Sequence, residues 1–186
     1  MIRFRLGKIP ITMRFSFLFV LGLYLAAQRL WGTRILLAVL IHELGHLLIL
    51  LLQGQSPERL ELSAAGILMV RGKVGSFGQE LLLHLGGPLA NLAMVGLLWQ
   101  RDQFACAAHL ILAAVNLLPL EPLDGGSVTE LLLEQLVPPE RVTRLCRLIS
   151  AATLAVLLAA ALPLFFHGRN PSLLLFVLLL AMGKRE

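Results

Sequence analysis

The residues best suited to chemistry are His42-Glu43-Leu44-Gly45-His46, the pattern HExxH. On an α-helix, positions i and i+4 share one face, so two imidazoles at this spacing can hold one metal ion from the same side. The Glu beside the first His is then placed to take a proton from an attacking water. Zinc prefers four ligands, and a catalytic site takes three from protein and leaves one position open. The motif supplies two ligands, His42 and His46, and one base, Glu43. A third ligand must come from elsewhere in the chain.

The setting of the motif sharpens this reading. His42, Glu43 and His46 lie inside the apolar run Ile35–Leu52. An isolated charge at the middle of a bilayer costs about 2.5–3.5 kcal/mol even on the lenient insertion scale. A divalent cation in a water-filled cavity keeps Glu43 there; a packed polar cluster of interhelical hydrogen bonds is the plainer alternative.

The candidates for the third ligand are Asp124, Glu121, His84, His109 and Cys106. Asp124 is the best of them. It lies in a stretch, Leu118-Pro-Leu-Glu-Pro-Leu-Asp-Gly-Gly126, whose prolines and glycines interrupt regular helix. Gly125 and Gly126 let backbone approach closely there. Glu121, between two prolines, reads as a charge at the rim. His84 and His109 read as interhelical hydrogen-bonding groups. Cys106 and Cys146 form no CxxC pair and read as apolar packing. Asn91 and Asn116 are amides that can hold a developing oxyanion, or else bond helix to helix. Gly86, Gly87 and Ala90 read as small residues for close helix packing.

These groups need elements to position them. Of the 186 residues, 58% are hydrophobic and 15% charged. A soluble domain has roughly half and a quarter. The fold class predicted is an all-α polytopic membrane protein. Six segments are expected near Phe15–Leu30, Ile35–Leu52, Leu81–Trp99, Phe104–Leu120, Leu145–Phe166 and Ser172–Met182. The first follows a basic start like that of a signal peptide, but Tyr24-Leu-Ala-Ala-Gln28 is a poor cleavage site, so the span is retained.

The net charge of +5 is topological, and no nucleic-acid partner is expected. With the N-terminus in the cytoplasm, twelve Lys and Arg fall on the cytoplasmic side. Only Arg29, Arg34, Arg101 and Arg169 fall on the far side, making up the sixteen. An even number of spans, with both termini cytoplasmic, satisfies the positive-inside rule.

Between the second and third segments, Glu58–Gly75 holds two strand patterns, Glu58–Ser63 and Ile67–Val70, and so predicts a short hairpin at the membrane surface. After the fourth segment a helix is expected to restart at Ser127, with Glu130 completing a capping box, and to stop before Pro138-Pro139. Arg141, Arg144 and Arg147 then form a solvated anchor face among anionic headgroups.

His42–His46, with Asn116-Leu-Leu-Pro119 and Leu123-Asp124-Gly125 after it, resembles the site-2 protease family of intramembrane metalloproteases. Gly86-Gly87-Pro88-Leu89-Ala90-Asn91 matches a further family pattern, and the resemblance covers about residues 1 to 150. It implies a Zn²⁺ cofactor with Asp124 as the third ligand, roles at the site for Asn91 and Asn116, and cleavage of a membrane-embedded protein substrate. It also implies one transmembrane protease domain over 1–186, its catalytic core at about 33–126, in a bacterial cell membrane, with inhibitory membrane proteins as further partners. The size and Leu117–Gly126 look most like the stage IV sporulation protein FB branch, which implies a sigma-factor precursor as substrate. That branch carries a CBS domain, and the chain ends soon after its last apolar segment, so neither a CBS nor a PDZ domain is expected. A helical substrate must unwind before its peptide bond can be reached, and Leu60–Val70 is the expected platform for the extended segment. Two rivals use the same residues: a membrane zinc transporter and an inactive scaffold. A transporter should show several metal sites or a His-rich loop, and the five His form no tract. A scaffold should have lost Glu43 or a ligand, and none is lost.

Overall fold

The computed structural model describes residues 2–6, 9–13, 31–63, 66–72, 74–168, 174, 177 and 178. Its elements are β1 (Ile2–Leu6), β2 (Ile9–Met13), α1 (Trp31–Leu52), β3 (Arg59–Ser63), β4 (Gly66–Val70), α2 (Phe77–Leu98), α3 (Gln103–Asn116), α4 (Asp124–Leu136) and α5 (Pro139–Gly168). The chain divides into two compact units, Met1–Ala113 and Ala114–Glu186.

In the first unit α1 and α2 each have 22 residues. At 1.5 Å per residue each is about 33 Å long, enough to cross a hydrocarbon core of about 30 Å. Along α1, Leu37, Leu40, Leu44, Leu48 and Leu51 form one exposed apolar stripe, while Ala38, His42, Gly45 and Leu50 are buried. A stripe of that kind suits lipid, while His42 and Gly45 turn to α2. The helix ends in a Schellman motif. Gly54 adopts φ 70°, its N–H donates to Leu51 O at 2.9 Å, and Gln55 N–H reaches Leu50 O at 3.1 Å. Only a glycine takes that backbone conformation without strain.

Small residues set the α1–α2 crossing. A Cβ added to Gly45 would overlap Gly86 O and stand 2.7 Å from Ala90 Cβ. Between lipid-facing helices, close backbone packing replaces the hydrophobic drive available in water. At the start of α2, Ser76 N–H donates to the Gln79 side chain at 2.8 Å, and Gln53 Nε2, just past the end of α1, donates to Gln79 O at 2.9 Å. At the other end, Asp102 caps α3 by accepting from Ala105 N–H at 3.1 Å and takes a bond from Arg34 Nε at 2.8 Å.

The expected hairpin is present as β3 and β4, paired antiparallel from Arg59↔Val70 to Ser63↔Gly66. It is half of a larger sheet. β1 and β2 form a second antiparallel hairpin, β2 runs parallel to β3, and the order is β1-β2-β3-β4. The all-α reading is therefore corrected to a mostly helical fold with a four-stranded sheet. Ile2-Arg3-Phe4-Arg5-Leu6 alternates with period two, a strand signal hidden when the same arginines are read only as topological charge. Glu80 anchors the exit from β4. Arg71 forks onto it with Nη1 at 2.8 Å and Nη2 at 2.7 Å, and Gly75 N–H adds a bond at 2.6 Å.

In the second unit, the turn between α3 and α4 contains a cis Glu121–Pro122 bond. α4 starts at Asp124, three residues before the expected Ser127. Ser127 thus lies within the helix, its N–H donating to Leu123 O at 3.3 Å. Gly125 and Gly126 enter the helix because the chain folds back onto its own carbonyls. A Cβ on Gly125 would overlap Leu117 O and Leu118 O; one on Gly126 would stand 2.5 Å from Leu120 O. α4 ends at Leu136, and Pro139 opens α5, where a missing N–H costs nothing. Val142, Cys146 and Ser150 form the buried stripe of α5, while Arg141, Arg144 and Arg147 are exposed, as the anchor face requires. Ser150 Oγ donates to Pro119 O at 3.2 Å and so holds the turn to α5.

Among the described residues, Gly32–Leu52, Phe77–Leu98 and Pro139–Pro163 are long and apolar enough to cross a membrane, and Gln103–Asn116 is a shorter apolar helix. The expected segment Phe15–Leu30 lies outside the described residues, and only Leu174, Val177 and Leu178 of Ser172–Met182 lie within them.

Candidate metal centre

His42 and His46 sit on the face of α1 that meets α2, and one turn of helix brings their rings edge to face with centroids 4.8 Å apart. Their Nε2 atoms are 3.2 Å apart. With Zn–N bonds of about 2.0–2.1 Å, two ligands of a tetrahedral ion stand about 3.3 Å apart. The pair is therefore spaced to share one ion.

The far side of each ring is held. His46 Nδ1 lies 2.7 Å from Leu83 O, an acceptor only, so Nδ1 carries the proton and Nε2 keeps its lone pair. His42 Nδ1 lies 3.2 Å from Asn91 Nδ2, and Asn91 Oδ1 lies 2.9 Å from His109 Nδ1. Asn91 is fully buried, and His42 and His109 nearly so. Held outer nitrogens are the usual means of orienting metal-binding imidazoles.

Beside the two Nε2 atoms, the backbone of α2 comes close at Gly87. A Cβ there would overlap His46 Nε2 and stand 2.6 Å from His42 Cε1 and 2.7 Å from His42 Nε2. The donor set and the spacing of the two Nε2 atoms fit a zinc ion. Leu83, Gly87 and Asn91 repeat at i, i+4 and i+8, so a single stripe of α2 supplies a carbonyl, a close backbone approach and an amide to the two histidines. Gly86 and Ala90 form the neighbouring stripe that touches Gly45. The sequence reading gave Gly87 the same packing role as Gly86; their faces differ, and the four-residue spacing to Asn91 is the signal that separates them.

The remaining predicted residues are placed as follows. Glu43 is half-buried on α1 next to His42. Cys106 is buried with Sγ 3.8 Å from Val95 O, a packing position. His84 is half-buried on α2. His109 bonds to Asn91, so its ring is an interhelical partner as the sequence suggests. In the second unit, Asn116 ends α3, Glu121 is exposed in the turn, and Asp124 is half-buried in the first turn of α4, where a carboxylate is favoured by the helix dipole.

No curated protein matches the chain. The sequence model of Peptidase family M50 matches residues 73–157, a stretch with Asn91, Asn116 and Asp124 that begins after His46. Among solved structures, the site-2 protease from Methanocaldococcus jannaschii is similar, with a TM-score of 0.70 at 22% identity over 98% of this chain and 92% of that one. The chain thus has the fold of a site-2 protease, and its residues 73–157 match the M50 peptidase family.

Proposed function

We propose that the chain is an intramembrane zinc metalloprotease of the site-2 protease family that cleaves a peptide bond in or near a transmembrane segment of its substrate. The observation that carries this reading is the pair of Nε2 atoms 3.2 Å apart, with Gly87 of α2 packed beside them. His42 and His46 would hold the ion, with Asp124 as third ligand on the strength of the motif order His42–His46, Asn116–Pro119, Leu123–Gly125. Bound zinc supplies Lewis acidity toward the scissile carbonyl and the attacking water. Glu43 accepts the proton of that water and returns it to the leaving amine. Asn116 is the amide assigned to the oxyanion, because both ends of the Asn91 amide face imidazoles.

Substrate access follows from the sheet. The strand order leaves β4 at an edge, and an extended peptide can add there by backbone hydrogen bonds. The fork of Arg71 on Glu80 holds that strand to the start of α2. Six spans in a bacterial membrane with both termini cytoplasmic, and a sigma-factor precursor or another small membrane protein as substrate, complete the reading. Charge bias supports the orientation; the sporulation-like motif Leu117–Gly126 supports the substrate class.

The test is cleavage of a membrane-tethered reporter by purified wild type and Glu43→Gln, with the zinc content of each. Both should hold about one zinc per chain, and the variant should cleave roughly 10²–10⁴-fold more slowly. Zinc in both and cleavage of a substrate panel by neither would overturn the protease reading in favour of an inactive scaffold or a transporter.

A further inference from the structure

His42, Asn91 and His109 form a buried row linking α1, α2 and α3, with contacts of 3.2 and 2.9 Å. Each imidazole meets one end of the same amide through its Nδ1. An amide has a donor end and an acceptor end of nearly the same shape, so the row has two fully bonded arrangements. In the structure, Asn91 Nδ2 faces His42 Nδ1 and donates to it, while Asn91 Oδ1 accepts from His109 Nδ1–H. That leaves the proton of His42 on Nε2. In the other arrangement the amide is turned by half a rotation. Oδ1 then accepts from His42 Nδ1–H, and Nδ2 donates to a bare His109 Nδ1 whose proton sits on Nε2.

Only the second arrangement frees His42 Nε2 to bind a metal. His46 has no such choice, because Leu83 O accepts in every arrangement. We propose that Asn91 and His109 are positioning residues that couple the tautomer of His42 to that of His109, so that zinc on His42 and a proton on His109 Nδ1 exclude one another. The proposal rests on the metal-site reading above. Each imidazole keeps one proton throughout: His42 moves its own from Nε2 to Nδ1, and His109 moves its own from Nδ1 to Nε2. A mismatched row would leave two donors or two acceptors facing each other among buried side chains, which makes the coupling strong.

The test uses the full chain in detergent or nanodiscs, labelled with ¹⁵N-histidine and titrated with zinc alone; His109 is assigned from a His109→Gln sample. Wild type should show His42 and His46 becoming ligated and His109 changing from the Nδ1–H to the Nε2–H tautomer. In Asn91→Leu, the His109 response should vanish, and zinc affinity, read by chelator competition, should fall about 10–100-fold. Asn91→Asp presents only acceptors, so it should hold the Nδ1–H form of both His42 and His109, and the His109 tautomer change seen in wild type on adding zinc should be absent. If zinc ligates His42 and His46 and leaves the His109 tautomer unchanged in wild type, the coupling is overturned and the metal site stands. A wild type that binds no zinc overturns both. Should Asn91→Leu fail to fold, the wild-type titration and Asn91→Asp still decide.

Discussion

Two glycine pairs, one in each compact unit, serve different ends. Gly86-Gly87 lies in mid-helix. Gly86 lets two backbones close up, while Gly87 lets the backbone of α2 come close to two imidazoles. Gly125-Gly126 lies at a helix start, and both residues are pressed onto the carbonyls of the preceding turn. The first pair thus brings α2 against the side chains of the candidate centre; the second brings the chain against its own backbone. One amino-acid type therefore predicts two phenotypes, one in binding and one in folding.

The largest expected effect breaks that contrast at Gly87. In Gly87→Ala the new methyl enters the space beside His42 and His46, and zinc affinity should fall about 100-fold, the loss expected when a ligand shell is disturbed. Thermal stability should fall less than in Gly125→Ala, since the methyl meets side-chain ring atoms rather than backbone carbonyls and alanine is the better helix former by about 1 kcal/mol. Chelator competition and a melting curve on one sample check both halves. Full zinc binding by the variant would mean that the close approach at Gly87 does not bear on the ion.

Gly125→Ala should do the reverse. Its methyl meets the Leu117 and Leu118 carbonyls, and overpacking of that kind costs about 1–3 kcal/mol. For a chain of this size the melting temperature should drop by roughly 2–12 °C. A melting temperature at or above wild type would contradict the close approach.

The smallest effect belongs to the pair of Arg34 and Asp102. The Asp102 carboxyl is held below its ordinary range, first by the Ala105 N–H and then by Arg34. A lowered folded value means that the carboxylate's stabilising contribution is complete above the unfolded value of about 3.9 and is lost as pH falls through the folded one. Melting curves against pH should show wild type slightly above Asp102→Asn near neutrality and level with it in acid. Both proteins should bind zinc equally. A gap that widens in acid would reverse the sign and dismiss the pair.

How much of this was legible beforehand depends on the range of the interaction. Ile67–Val70 announced its strand, and Pro138-Pro139 announced the end of α4, because turn and helix rules act over a few residues. Ser127 misled for the same reason. Its capping pattern is local, but the docking of Gly125 and Gly126 on Leu117–Leu120 starts the helix earlier. The parallel pairing of β2 with β3 joins residues some fifty positions apart, Ile11 with Leu60, and no local pattern encodes it. Asn91 was legible as a residue of interest and not as a partner of two histidines, since its neighbours lie 49 and 18 positions away.

By itself the amino-acid sequence determined the chemistry on offer. HExxH needs only the helical repeat to bring two imidazoles onto one face, and long apolar runs need only their length to suit a bilayer. The tertiary structure decided what surrounds that chemistry. It chose which stripe of α2 faces the histidines, fixed the proton of His46 by aiming Nδ1 at Leu83 O, and joined His42 to His109 through one amide. Those outcomes depend on the angle and depth at which helices cross. Packing of Gly45 against Gly86 and Ala90 sets that angle, and no single segment contains the information.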